Sequence, residues 1–135
     1  MAGGVFVRFW KRCMLFYLGG MLYTGLELLW RRRSHGSMFA LGGLCFLLIG
    51  WVEKSRLHPA ARAVTEAGAV TALELGCGLL VNRRFRVWDY RRLPMNFRGQ
   101  ICLPFSLLWI PVCMVGAAIY RRVDRLLTFR VKTLK

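Results

Sequence analysis

The chain has almost no charge where it is most apolar. Only six of its 135 residues are Asp or Glu, against 21 Lys and Arg. The basic residues fall in clumps: Arg8, Lys11 and Arg12; Arg31 to Arg33; Lys54, Arg56 and Arg62; six arginines from Arg83 to Arg98; and Arg121 onward. Because these cations do not follow one helical stripe, and long apolar gaps part them, a nucleic-acid partner is not expected. No two of the five cysteines have metal-ligand spacing and none sits in a secreted-type framework, so they read as small packing residues, with no metal site. No nucleophile–base pair is readable and His35 stands alone, so no enzyme activity is expected. A G-x-x-x-x-G-K-[ST] phosphate loop is also missing; any ATPase would be a separate subunit, and no cofactor is expected. The basic, then apolar, N-terminus has no small-residue cleavage site and ends in Trp30 and three arginines, which predicts a retained helix and not a cleaved leader.

What the chain does have is apolar length. Its 56% apolar content exceeds the usual figure of about 45–50%. Apolar spans separated by basic loops mark a multi-pass membrane protein. Four spans are expected, near Cys13–Trp30, Gly36–Val52, Ala63–Asn82 and Gln100–Tyr120. The predicted fold is an all-α membrane protein with four transmembrane helices: one domain over residues 1–120, then a basic interfacial tail over 121–135. In that tail Val123, Leu126, Leu127 and Phe129 alternate with cations, as in an amphipathic helix on anionic lipid; a disordered tail is the alternative. Four spans put both termini on one face. Twelve cations lie on that face and nine on the other, a small positive-inside bias toward termini inside, with dual topology as the alternative.

Two stretches echo each other. "GLELLW" at 25–30 and "ALELGC" at 72–77 are each followed by a basic loop and another apolar span, with "LCFLLIGW" in the first and "ICLPFSLLW" in the second. The glutamates are 47 residues apart and the cysteines 57, which predicts two parallel helical hairpins, the second with the longer loop. Chance similarity among Leu-rich spans is the alternative.

Carboxylates inside spans are costly if they face lipid, so Glu27, Glu66 and Glu74 should face protein or the interface. Glu27 precedes Arg31 by four residues, a favourable helical pair. In span three Gly68, Ala72 and Gly76 recur every four residues, a surface that admits a close helix neighbour. They lie opposite the Glu66/Glu74 direction, so span three is expected to be central, with protein on both sides. Pro104 and Pro111 should each free a carbonyl in span four, those of Gln100 and Leu107, and kink it.

The stretches "GGMLYTGLELLWRRRSHGSMFALGGLCFLLIG", "ALELGCGLLVNRRFRVWDY" and "LPMNFRGQICLPFSLLW" resemble the CmpB-like, type IV group of bacterial ABC transporter permeases. The likeness covers roughly residues 19 to 109 and rests on Glu27, the Arg33-Ser34-His35 corner, Gly42-Gly43, Glu74, Asn82, Trp88-Asp89-Tyr90, Pro94, Asn96 and Gly99 to Cys102. The chain departs from the pattern at Arg91, where a small residue commonly follows the aromatic triplet. The resemblance implies a small integral membrane protein of the bacterial cytoplasmic membrane with a part in transport.

The loop face should therefore gather Glu27, Glu74, Gln100 and Asn96 as a polar site, with Glu27 and Glu74 as a cation or proton site. His35, Trp88, Asp89, Tyr90, Arg83 and Arg84 are expected to form a lid at headgroup level, the aromatic rings among the headgroups and the arginines on lipid phosphates. Asp89 is expected to order the loop through a salt bridge. Glu66, two turns from Glu74, should tolerate neutralisation better. The leading functional reading is a transporter or permease subunit, acting as a homodimer or with a membrane partner. The alternatives are a structural or regulatory protein binding anionic lipid or a larger partner, and a holin-like pore former.

Overall fold

A computed structural model describes residues 2–133. Four helices run antiparallel in chain order: α1 (Ala2–Arg31), α2 (Gly36–Glu53), α3 (Pro59–Val81) and α4 (Leu103–Thr133). All four are long and apolar enough to cross a membrane. The loop between α3 and α4 holds the one small sheet among the described residues, in which β1 (Asn96–Phe97) pairs antiparallel with β2 (Ile101–Cys102).

Both histidines start helices. His35 Nδ1 accepts from the Ser37 amide at 3.2 Å, and His58 Nδ1 accepts from the Ala60 amide at 3.3 Å. Each satisfies one of the donors that a helix N-terminus leaves free. Pro59 then opens α3, where its missing N–H costs nothing.

The central helix is α2, which packs against α1, α3 and α4. Its sequence explains why: no charged side chain interrupts it before Glu53, and its glycines allow close crossing. A Cβ at Gly42 would strike Tyr23 Cβ and lie 2.8 Å from the Gly19 carbonyl oxygen. Gly43 lies against the Phe16 ring, Gly20 against Phe39 and Gly50 against Tyr120. Gly19 lies as close to Phe46, and these glycines mark close helix contacts among the described residues.

The small stripe of α3 is not among them, which corrects the expectation for span three. Gly68, Ala72 and Gly76 are exposed, and a Cβ at Gly68 or Gly76 would meet nothing within 4 Å. The buried face of α3 is the opposite one: Ala63, Glu66, Ala67, Val70, Glu74 and Gly78. One orientation cannot bury both faces of a helix that lies on one side of the bundle, and the carboxylates carry the greater penalty for exposure to lipid.

Two further differences concern α4. Pro104 is its second residue, where no helix bond is lost, so only Pro111 interrupts the ladder. The helix also continues without a break through the basic tail to Thr133; residues 134–135 lie outside the described residues. With 31 residues it is about 46 Å long, beyond the roughly 30 Å of hydrocarbon in a bilayer. The N-terminal part of α1 runs beside this extension, joined by Lys11 Nζ to Asp124 Oδ1 at 2.8 Å and to Thr128 Oγ1 at 2.7 Å. The echoed cysteines do not occupy matching places: Cys45 lies halfway along α2, whereas Cys102 precedes α4.

The Arg31–His35 turn and the long loop share one face, since Arg31 Nη1 donates to the Val87 carbonyl at 3.3 Å. Cysteines placed at the exposed His35 and Arg92 positions should therefore react with an impermeant thiol reagent from the same side of the membrane. Opposite accessibility in a single-orientation sample would contradict the four-helix topology.

Candidate functional site

The long loop is built inward from Asn82, the C-cap of α3 and 1% exposed. Its Nδ2 donates to the Trp88 carbonyl at 2.7 Å and to Gln100 Oε1 at 3.0 Å, while its Oδ1 accepts from the Val87 amide at 2.9 Å. Gln100 Nε2 returns a bond to the Asn82 carbonyl at 3.1 Å, and Trp88 Nε1 donates to the Gln100 carbonyl at 2.8 Å. Every polar atom of this knot that needs a partner away from water finds one. Gly78 makes room for it, since a Cβ there would overlap the Gln100 amide. Gln100 is thus a structural amide, locked within the knot.

Trp88 and Tyr90 are buried, at 3% and 5% exposure, and point into the protein, not into a headgroup layer. The reason is the knot: their polar tips have protein partners. Asp89, between them, faces out. Its carboxylate takes Arg91 Nη2 at 2.7 Å and Nε at 2.9 Å, and these bonds hold its pKa down to about 2. That ion pair is formed at neutral pH and is lost only as pH falls toward about 2. Arg91 also lies over the Phe85 ring at 4.2 Å, its stem crossing Gly99, whose φ of +66° suits a residue without a side chain.

Asn96 is exposed and turned to the loop itself. It donates to the Leu93 and Arg91 carbonyls and accepts from the Gly99 amide at 3.1 Å. It is not brought to the glutamates, because β1 lies at the outer rim of the loop. His35 is likewise a cap, away from Glu74. Arg83 donates to the Leu79 carbonyl at 2.9 Å, and Arg84 is exposed on the same rim.

Tyr90 connects the loop to the helices. Its hydroxyl donates to Glu74 Oε1 at 3.1 Å and accepts from Arg31 Nη2 at 3.1 Å. Burial raises its pKa well above the ordinary value, so it remains a neutral donor. Trp109 Nε1 donates to the second oxygen of Glu74 at 3.2 Å. Glu74 is 3% exposed, and both of its oxygens are held by neutral groups. Arg31 Nε lies 3.7 Å from Glu27, so the two acids share one guanidinium, directly for Glu27 and through Tyr90 for Glu74. Beside them is a cavity of about 100 Å³ lined by Tyr23, Glu27, Arg31, Tyr90, Phe105 and Trp109. Its inner wall is the stack of Tyr23 on Trp109, with centroids 5.6 Å apart. Beyond that stack lies a groove of about 180 Å³, apolar in character and lined by Cys45, Ile49, Val70 and Cys113 among others.

The structure thus brings Glu27, Glu74 and Tyr90 together and leaves Gln100 and Asn96 elsewhere, while His35 lines a second cavity of about 300 Å³ with Glu27 on the loop face. Arg31, Trp109 and Asn82 complete the arrangement. Trp109 carried a readable sign: an indole about 10 Å into α4 is far from the interfacial belt where tryptophan usually sits. Glu66 is 1% exposed and so as buried as Glu74, not a lipid-side residue two turns away.

A family model described as "Putative ABC-transporter type IV" matches residues 5–134. No curated protein and no solved structure matches the chain.

Proposed function

The chain belongs to the ABC-transporter type IV family, and from that premise we propose that it is a transporter or permease subunit in which Glu74, assisted by Glu27, binds a proton or a small cation. The observation that carries this reading is the coordination of Glu74: a carboxylate buried beside a cavity, held by Tyr90 and Trp109 and by no direct cation among the described residues. A bare carboxylate there is costly, and a proton or cation removes that cost. With both acids ionised and one Arg31 between them, the centre lacks one positive charge, which a single proton or monovalent cation supplies.

The cavity is small, so a substrate path needs more wall than four helices provide; a second copy or a membrane partner would complete it. Hydrolysis of ATP, where it drives transport, would belong to a separate subunit. The protein itself would act without enzymatic chemistry, in the bacterial cytoplasmic membrane, with the exposed arginines of the long loop on anionic headgroups.

Glu74→Gln is the test, because the amide keeps an acceptor and much of the packing. In proteoliposomes of the full chain, proton flux under an imposed potassium diffusion potential should fall at least tenfold in Glu74→Gln, with size-exclusion behaviour unchanged. A folded Glu74→Gln protein with wild-type flux would contradict the proposal.

A further inference from the structure

The second buried acidic centre lies at the other end of α3, on the face that carries both termini, and it has no part in the Glu74 site. We propose that Glu66 and Glu53 form a second, exchangeable proton site that opens to that face. It stands apart from the transport reading, because none of its residues lines the Tyr23–Trp109 cavity.

The argument begins with partners. Glu53, at the end of α2, accepts Arg121 Nη1 from α4 at 2.6 Å and Arg62 Nη1 from α3 at 3.4 Å, both on the same oxygen. Both guanidinium groups are thereby committed to Glu53. Glu66, 1% exposed, faces Glu53, and its Oε1 has no hydrogen-bond partner among the described residues. The remaining titratable neighbour is the Cys113 thiol of α4. Two neighbouring carboxyl groups repel when both are ionised, and with both arginines on Glu53 one proton held by the pair relieves that repulsion. The two carboxyls then hold one proton as a unit.

A second orphan shows how the proton can leave. Arg62 Nε is buried and also lacks a hydrogen-bond partner among the described residues. When the pair releases its proton to water on the termini face, Arg62 can turn to the Glu66 carboxylate while Arg121 stays on Glu53. Each acid then has one guanidinium, and the cluster goes from one net positive charge to none. Arg121 is half-exposed and provides the opening to water, whereas Val70 and Cys113 close the inward side. About 12 Å along α3 separates this site from Glu74.

Infrared difference spectra of the full chain in vesicles, recorded between alkaline and acidic pH, read protonated carboxyl groups directly. The expected result is a carboxylic-acid carbonyl band that disappears in Glu66→Gln and persists in both Glu66→Asp and Glu74→Gln. A folded Glu66→Gln protein whose spectrum matches wild type overturns the proposal. Should Glu66→Gln fail to fold, an apolar carbodiimide on the wild-type chain decides, since it adds only to protonated carboxyls. A mass-mapped adduct at Glu66 that declines as pH rises supports the site, and absence of an adduct there refutes it.

Discussion

Gly42→Ala should destabilise the protein more than any other single-methyl insertion in α2 or α3. The new Cβ would overlap Tyr23 Cβ and press on the Gly19 carbonyl oxygen, 2.8 Å away. Neither obstacle can rotate aside: one is backbone and the other is fixed to it, so α1 and α2 must separate along the crossing. Overpacking of this kind costs about 1–3 kcal/mol and occasionally more, and the upper end is expected here. Gly68→Ala is the control. It meets open space and exchanges a flexible residue for the best helix former, a change of at most about 1 kcal/mol in the stabilising direction. Thermal unfolding in one detergent compares the two. Equal midpoints would mean that the α1–α2 crossing is looser than described.

The second large effect is expected at Asn82. Asn82→Ala removes three side-chain hydrogen bonds and takes these partners from the Trp88 carbonyl, the Gln100 Oε1 and the Val87 amide, while Gln100 Nε2 keeps the carbonyl of residue 82. Each orphaned group costs about 1–3 kcal/mol, so a loss on the order of 3–5 kcal/mol is expected, most of it as opening of the long loop. Cys102, buried at the end of that loop in β2, reports the opening directly, with exposed Cys13 as the internal reference. Thiol modification of Cys102 should accelerate at least tenfold in Asn82→Ala. Asn96→Ala, at an exposed rim where water replaces the lost partners, should leave Cys102 protected. If Asn82→Ala also protects Cys102, the knot does not hold the loop.

These two experiments separate scaffold from site. Gly42 and Asn82 set where α1 and the long loop sit, and through Tyr23, Arg31 and Tyr90 they set the geometry around Glu74. A loss of proton flux in either variant would therefore be read as displaced walls, whereas Glu74→Gln leaves the walls and removes the titrating group.

The four helices were legible in the sequence because the signal is local: about 20 apolar residues bounded by arginines describe a membrane crossing whatever packs beside it. The shared face of the Arg31 turn and the long loop followed from the number of crossings, and the cost of charge in lipid marked Glu27, Glu66 and Glu74 as inward-facing. Tertiary structure decided the rest, since it depends on residues distant in the chain. The two faces of α3 had equal claims on a neighbour, and only the position of α2 as the central helix left Gly68, Ala72 and Gly76 outside. Trp88 and Tyr90 suited a headgroup layer by composition, yet Gln100, Arg31 and Glu74 supplied their polar tips with better partners inside. Gln100 and Asn96 carry similar amides, four residues apart, and one became a buried strut while the other stayed at the rim. Helix length and membrane cost are properties of a segment; a hydrogen-bond partner is a property of the fold, and it is the partners that made Glu74 and Glu66 two separate centres on one helix face.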